Sequence, residues 1–290
     1  MPRASAWAAG ADEALAQLRH GGRVLSRFQR VLNLETSQGR LLALHGPALA
    51  PTPFSLVLEE AAELAWPAVG AAAWRVGETL AVGALRIDLS SAAPLVEEPT
   101  PQPVPGWQER ASPLLEPFAA ASAFGAWWRA AAPSKDALAT VLQQRARRVT
   151  DELAAALAAC PIDLARAQAP AGRLLGLGLG GTPSGDDFLV GFVGAWQRLG
   201  PDPAAGQVLA AELAAGAPTR TTRLAAEFYY HLARGRLSQL LAALLRPIAL
   251  GDEIGLAAAA DRLARYGATS GRDTLAGVYA YLLARPGAPG

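Results

Sequence analysis

The chain has 290 residues, of which 51% are hydrophobic and 18% charged, with a formal net charge of +1. That length can bury one large core or two medium ones, and a near-neutral charge with scattered arginines leaves nucleic acid no electrostatic footprint. No apolar run reaches the roughly 18 uncharged residues that a membrane helix needs.

In chain order, Met1–Gly10 lacks a basic segment followed by a long apolar one, so no secretory signal is expected. Residues 4–20 have the spacing of a short amphipathic helix. From Gly22 the texture changes to short runs rich in Val, Leu, Ile and Phe: Arg23–Leu34, Arg40–Leu44, Phe54–Leu58, Ala73–Val76, Thr79–Val82 and Leu85–Leu89. Ser37-Gln-Gly39 and Gly77-Glu78 carry tight-turn chemistry between them. Many short strands at close spacing predict a small antiparallel barrel or sandwich, with a helix over Glu59–Trp66.

Six prolines between Pro94 and Pro113 then interrupt any regular ladder or helix, so 94–113 reads as a linker. Beyond it the chain is Ala/Leu-rich with helical periodicity. Ser134 is the predicted N-cap of a helix over Lys135–Cys160. Further helices are predicted at Asp187–Leu199, Pro203–Gly216, Thr221–Arg234, Leu237–Ile248, Asp252–Tyr266 and Arg272–Leu283. The fold class is therefore α+β: a β-rich domain over 1–93, the linker, and an all-helical domain over 114–290. Lys135 is the only lysine, which moves anion recognition onto arginine and backbone N–H. Cys160 is the only cysteine, which excludes an internal disulfide and fits a reducing cytoplasm.

The most informative segment is Gly176-Leu-Gly-Leu-Gly-Gly-Thr-Pro-Ser-Gly-Asp-Asp-Phe188, a glycine-rich loop feeding a helix start. Unobstructed N–H groups and the helix dipole favour an anion there. The segment lacks the βαβ context of a dinucleotide site and the Gly-Lys-Ser/Thr of a P-loop. Asp186 and Asp187 would repel an anion unless a cation bridges them, and Mg²⁺ suits one or two carboxylates. Consecutive helical side chains diverge by about 100°, so one of the two aspartates faces a ligand while the other bonds the loop.

Ser184-Gly-Asp-Asp-Phe-Leu-Val-Gly191 has an echo in Ser270-Gly-Arg-Asp-Thr-Leu-Ala-Gly277, matching at five of eight positions. Two similar N-caps explain Ser and Asp. They leave Gly191 and Gly277 unexplained, since glycine inside a helix costs about 1 kcal/mol against alanine. A close crossing of the two helices at these glycines, with both starts turned to one pocket, would repay it. Pro218-Thr-Arg-Thr-Thr-Arg223 is a second polar cluster, read equally as a cap region or an anion contact. His20, His45 and His231 are too scattered for a metal triad, and no Ser-His-Asp order is present.

The run Gly178–Gly191 resembles the signature of a bacterial family, long listed as a domain of unknown function, that includes the AllH-type subunit of oxamate carbamoyltransferase. Gly267–Gly277 is similar to that family's second motif, and Thr219–Gly235 more loosely to its Thr-rich helix. Gly181 departs from the leucine that the family usually has before Thr-Pro. The resemblance implies a cytoplasmic subunit of a hetero-oligomeric enzyme, with an acyl-CoA-synthetase-like partner. The implied reaction moves a carbamoyl group between oxalurate and phosphate in purine or allantoin catabolism.

Under this reading, N–H groups of Gly180, Gly181 and Gly185 hold the anion, with Thr182, Ser184, Ser270, Gly271 and Thr222 as hydrogen-bonding partners. Asp187, Asp273 and Ser184 are the candidate catalytic groups, Asp186 and Asp187 the candidate Mg²⁺ ligands, and Arg220 and Arg223 the charge-offsetting cations. The competing reading is a non-catalytic interaction subunit or ligand sensor, with the loop a structural helix junction.

Overall fold

A computed structural model describes residues 1–60, 66–130, 132, 134–159 and 162–284. The expected helix over Glu59–Trp66 falls mostly outside these residues, as does Cys160. The chain divides into two compact units, one comprising Met1–Glu98 with Arg236–Gln239, the other Pro99–Gly235 with Leu240–Gly290.

The first unit is a curled nine-stranded sheet. Its strands are β1 (Ala4–Trp7), β2 (Gly22–Arg27), β3 (Val31–Thr36), β4 (Leu41–His45), β5 (Ser55–Leu58), β6 (Ala72–Val76), β7 (Thr79–Val82), β8 (Leu85–Asp88) and β9 (Ala93–Pro94). They lie in the order β8-β7-β6-β2-β3-β4-β5-β1-β9. The sheet bends back on itself: Arg3, just before β1, bridges to Asp88 at the end of β8, and Asp88 N donates to Pro2 O at 2.9 Å. Both predicted turns are present, with Gly39 and Gly77 at φ of 83° and 57°, values that glycine alone adopts without strain. The sheet is mixed rather than purely antiparallel, because β4 pairs β5 and β1 pairs β9 in parallel.

The leading segment is not a continuous helix. Ala4–Trp7 is a strand, and only Ala11–Gln17 (α1) is α-helical, followed by a 3-10 turn at Leu18–His20. Backbone partners offered by β5 and β9 outweigh the weak helical propensity of four residues. From α1 and its following turn, Leu15 and Leu18 join Leu32, Leu34, Leu56 and Leu80 of the sheet in one buried core.

The second unit is helical: α2 (Trp107–Ala120), α3 (Ala123–Trp128), α4 (Ala137–Ala158), α5 (Leu164–Leu174), α6 (Ser184–Leu199), α7 (Pro203–Arg220), α8 (Arg223–Leu232), α9 (Gln239–Leu250), α10 (Glu253–Ala264) and α11 (Ser270–Ala284). Pro113, read as linker, lies inside α2 with Pro117, where each removes one N–H donor from the ladder without ending the helix. Asp136, not Ser134, caps α4: its side chain accepts from Leu138 N at 2.9 Å, while Ser134 Oγ accepts from Asp136 N at 3.1 Å. No described helix is long and apolar enough to cross a membrane.

Helices α6 and α11 form the centre of this unit. Phe188, Phe192, Trp196 and Tyr281 on them are all fully buried. Phe188 stacks on Phe124 of α3 with ring centroids 4.0 Å apart. Burying such side chains contributes about 1.5–3 kcal/mol each, and it holds the two helix starts that carry the motif residues.

Candidate functional site

The two Ser-Gly-x-Asp copies occupy equivalent positions at the starts of α6 and α11, and their backbones repeat in detail. Leu177 N donates to Leu174 O at 3.0 Å, and Gly185 N returns to Leu177 O at 2.8 Å. In the second copy Tyr266 N donates to Leu263 O at 2.9 Å, and Gly271 N returns to Tyr266 O at 3.0 Å. A methyl group on Gly185 would run into Leu174 O, and one on Gly271 into Leu263 O, so each glycine lets a helix start seat on the end of the helix before it. A methyl on Gly191 would strike Thr274 O, and one on Gly277 would strike Phe188 O. The crossing expected at these two glycines is thus present, and it is reciprocal: each glycine faces the carbonyl four residues after the other helix's serine.

The side chains exchange across the crossing in the same way. Asp187 takes hydrogen bonds from Ser270 and Thr182, and Asp273 from Ser184 and Thr269. Thr182 Oγ1 lies 2.8 Å from Ser270 Oγ. Asp273 Oδ1 also accepts from Phe124 N at 2.7 Å, which ties the start of α3 to the same point. Asp187 is 9% exposed and Asp273 fully buried, and the Oδ2 atom of each has no hydrogen-bond partner among the described residues.

Burial dominates the titration of both. It pushes Asp187 up to about 8, with the charges of Asp273 and Asp186 adding to the effect and the Ser270 and Thr182 hydroxyls opposing it. Burial likewise raises Asp273 against its hydrogen bonds from Phe124 and Ser184. Tyr266, at the end of α10, is pushed up to about 12 by burial and by the charge of Asp187.

Asp186 turns the other way. Its Oδ1 accepts from Tyr229 OH at 2.9 Å, its Oδ2 accepts from Thr221 Oγ1 at 2.5 Å, and Gly176 N lies 3.1 Å from both oxygens. Burial raises its pKa, and these donors oppose the rise. Asp186 thereby fastens the start of α6 to the α5–α6 loop, the α7–α8 junction and α8. Both oxygens of this candidate Mg²⁺ ligand thus accept hydrogen bonds from protein donors. Among the described residues no three His, Cys, Asp or Glu side chains gather into a set that could hold a metal ion.

The loop residues Gly180 and Gly181 are exposed, and neither N–H makes a backbone hydrogen bond among the described residues. Thr222 joins them: its hydroxyl donates to Gly181 O, and its Oγ1 accepts from Ala225 N to cap α8 at 3.1 Å. Arg220 and Arg223 flank Thr221 and Thr222 in the sequence. Both are exposed, and the charges that act on Asp187 are the two neighbouring carboxylates. The α7–α8 junction turns Thr221 and Thr222 inward, which sends the flanking arginines out.

His231 is buried in α8 with Nε2 3.3 Å from Glu227 Oε1. Sequence reasoning missed Thr221, Tyr229, Tyr266 and Thr269. Thr221 lay within the recognised polar cluster, and Thr269 beside the echo. Tyr266 corresponds in the backbone repeat to Leu177, a mismatch that no sequence comparison of the copies would flag.

Residues 174–282 match the family described as oxamate carbamoyltransferase subunit AllH, and residues 4–94 match the AllH family N-terminal domain. No curated protein and no solved structure matches the chain.

Proposed function

We propose, from the premise that this chain belongs to the AllH family of oxamate carbamoyltransferase subunits, that it binds a small carbamoyl- or phosphate-bearing anion where α6 and α11 start. The observation that carries this reading is the convergence of Thr182, Ser184 and Ser270 hydroxyls on two buried carboxyls that each keep one oxygen unpartnered. Native interiors rarely leave buried polar atoms unsatisfied, and exceptions concentrate at functional sites.

The N–H groups of Gly180 and Gly181 would take the anionic end. Asp186 is spent on protein donors, and Asp187, pushed up to about 8, is largely a neutral acid at pH 7 and repels an anion little. Such a subunit would act with partner subunits, one of them acyl-CoA-synthetase-like.

A structural reading also has support: the reciprocal Ser–Asp bonds and glycine contacts tie the helices together without any ligand. It accounts for the matched serines, glycines and aspartates of the echo, but not for the two unpartnered oxygens. Calorimetric titration of the full chain with carbamoyl phosphate, inorganic phosphate and oxamate, with and without Mg²⁺, separates the two. Saturable binding lost in Ser270→Ala supports the anion site, and no binding of any of the three overturns it.

A further inference from the structure

The two unpartnered oxygens belong to residues in equivalent positions of the two copies, Asp187 on α6 and Asp273 on α11, both at least nine-tenths buried. A buried carboxyl oxygen without a donor is costly, so each calls for an N–H or O–H from outside the chain. No cation contributes among the charges acting on Asp187, and two carboxyls with no third ligand make a poor metal cage. The protein groups that already serve the pair are hydroxyls and a backbone N–H, all neutral donors, and a further neutral donor completes the set. A primary amide nitrogen has two N–H bonds to give.

We propose that Asp187 and Asp273 are the specificity-determining pair for the –NH₂ of a carbamoyl or oxamate group, each Oδ2 accepting one N–H. This rests on the reading that the α6 and α11 starts hold a small carbamoyl-bearing anion, and it adds which end of that ligand faces the acids: the amide nitrogen lies toward the helix crossing and the carboxylate or phosphate toward Gly180 and Gly181. The turn at Leu179–Gly181, just before Ser184, is open to solvent. Leu179 is 94% exposed, and a side chain added at Gly180 would touch nothing within 4 Å. Relative to the second copy this segment is three residues longer, with five residues between Gly178 and Ser184 against two between Gly267 and Ser270.

The test compares oxamate with pyruvate, which has the same charge and nearly the same shape but a methyl in place of the –NH₂. The affinity of the full chain for each is measured by calorimetry at pH 7. Oxamate is expected to bind roughly tenfold or more tightly, the effect of hydrogen bonds to buried carboxyl groups. In Asp187→Asn and Asp273→Asn, each checked for its thermal midpoint, the ratio should narrow. Equal affinity of the wild-type chain for oxamate and pyruvate overturns the assignment of the pair while leaving an anion site standing. Binding of neither compound overturns the anion site and this inference with it.

Discussion

Gly191 and Gly277 face each other's helix at one crossing, each occupying the only space that keeps a side chain off the opposite carbonyl, Thr274 O for Gly191 and Phe188 O for Gly277. The contact explains why two helices accept glycine in their interiors. Close approach of the backbones brings Ser184 within reach of Asp273, and Ser270 within reach of Asp187.

Gly191→Ala or Gly277→Ala should therefore destabilise the helical unit by about 1–3 kcal/mol or more through overpacking, although alanine is the better helix former by about 1 kcal/mol. Gly216→Ala in α7 is the control. An added methyl there meets only Leu175 Cδ1 at 3.4 Å and Arg220 Cδ at 3.9 Å, so this variant should be neutral or up to about 1 kcal/mol more stable. Urea unfolding reads both, and equal midpoints for all three variants would contradict the crossing.

Asp186 should behave as a scaffold group. Tyr229→Phe removes the 2.9 Å hydrogen bond to Asp186 Oδ1 and is expected to cost about 1.5–3 kcal/mol, the range for bonds to charged acceptors. In a double-mutant cycle with Asp186→Asn, the two changes should couple by roughly 0.5–3 kcal/mol. Strict additivity would mean that the bond contributes nothing.

The titration of Asp187 sets the sign of a pH effect. Its folded-state pKa is raised from 3.8 to about 8, so between these values the native state holds a proton that the unfolded chain has released. Stability from this group is full below about 3.8 and is lost as pH rises toward 8. Asp186 and Asp273, also raised, act in the same direction. Asp187→Asn should flatten the decline between pH 5 and pH 7.5 by up to about 1.4 kcal/mol per pH unit, the slope of one proton. Denaturant midpoints measured across that window decide it, and identical slopes for variant and wild type would rule out a neutral Asp187.

In the β unit the sign is opposite. His45 is 2% exposed, with Nδ1 2.9 Å from Gly46 O and Nε2 2.9 Å from Ser55 Oγ. A carbonyl only accepts, so Nδ1 carries the proton and Nε2 accepts from the Ser55 hydroxyl. Burial lowers the His45 pKa below its ordinary 6.5. Below 6.5 the unfolded chain takes up a proton that the folded unit refuses, and stability falls as the solution becomes more acidic. His45→Gln should reduce that acid sensitivity. Amide exchange at Leu44 and Leu56 on the flanking strands, compared at pH 5 and pH 6.5, measures it.

The order of strands then helices was legible because periods of 2 and 3.6 residues survive in the apolar pattern of long segments. Ala4–Trp7 was misread because four residues carry too little periodic signal, and the backbone partners in β5 and β9 that make them a strand lie elsewhere in the chain. Pro113 was misread because proline composition marks a break on average, whereas α2 tolerates the lost donor locally. The repeat of Ser, Gly and Asp, and the expectation that its glycines mark a crossing, came from sequence spacing alone, since spacing fixes which residues share a helix face. The sequence could also say that Asp186 and Asp187 must part company, because adjacent helical side chains diverge by about 100°. Only the tertiary structure decided which goes where. Tyr229, Thr221 and Gly176 surround one carboxyl, while Ser270, Thr182 and Asp273 surround the other, and what surrounds a side chain depends on segments that no local pattern brings together.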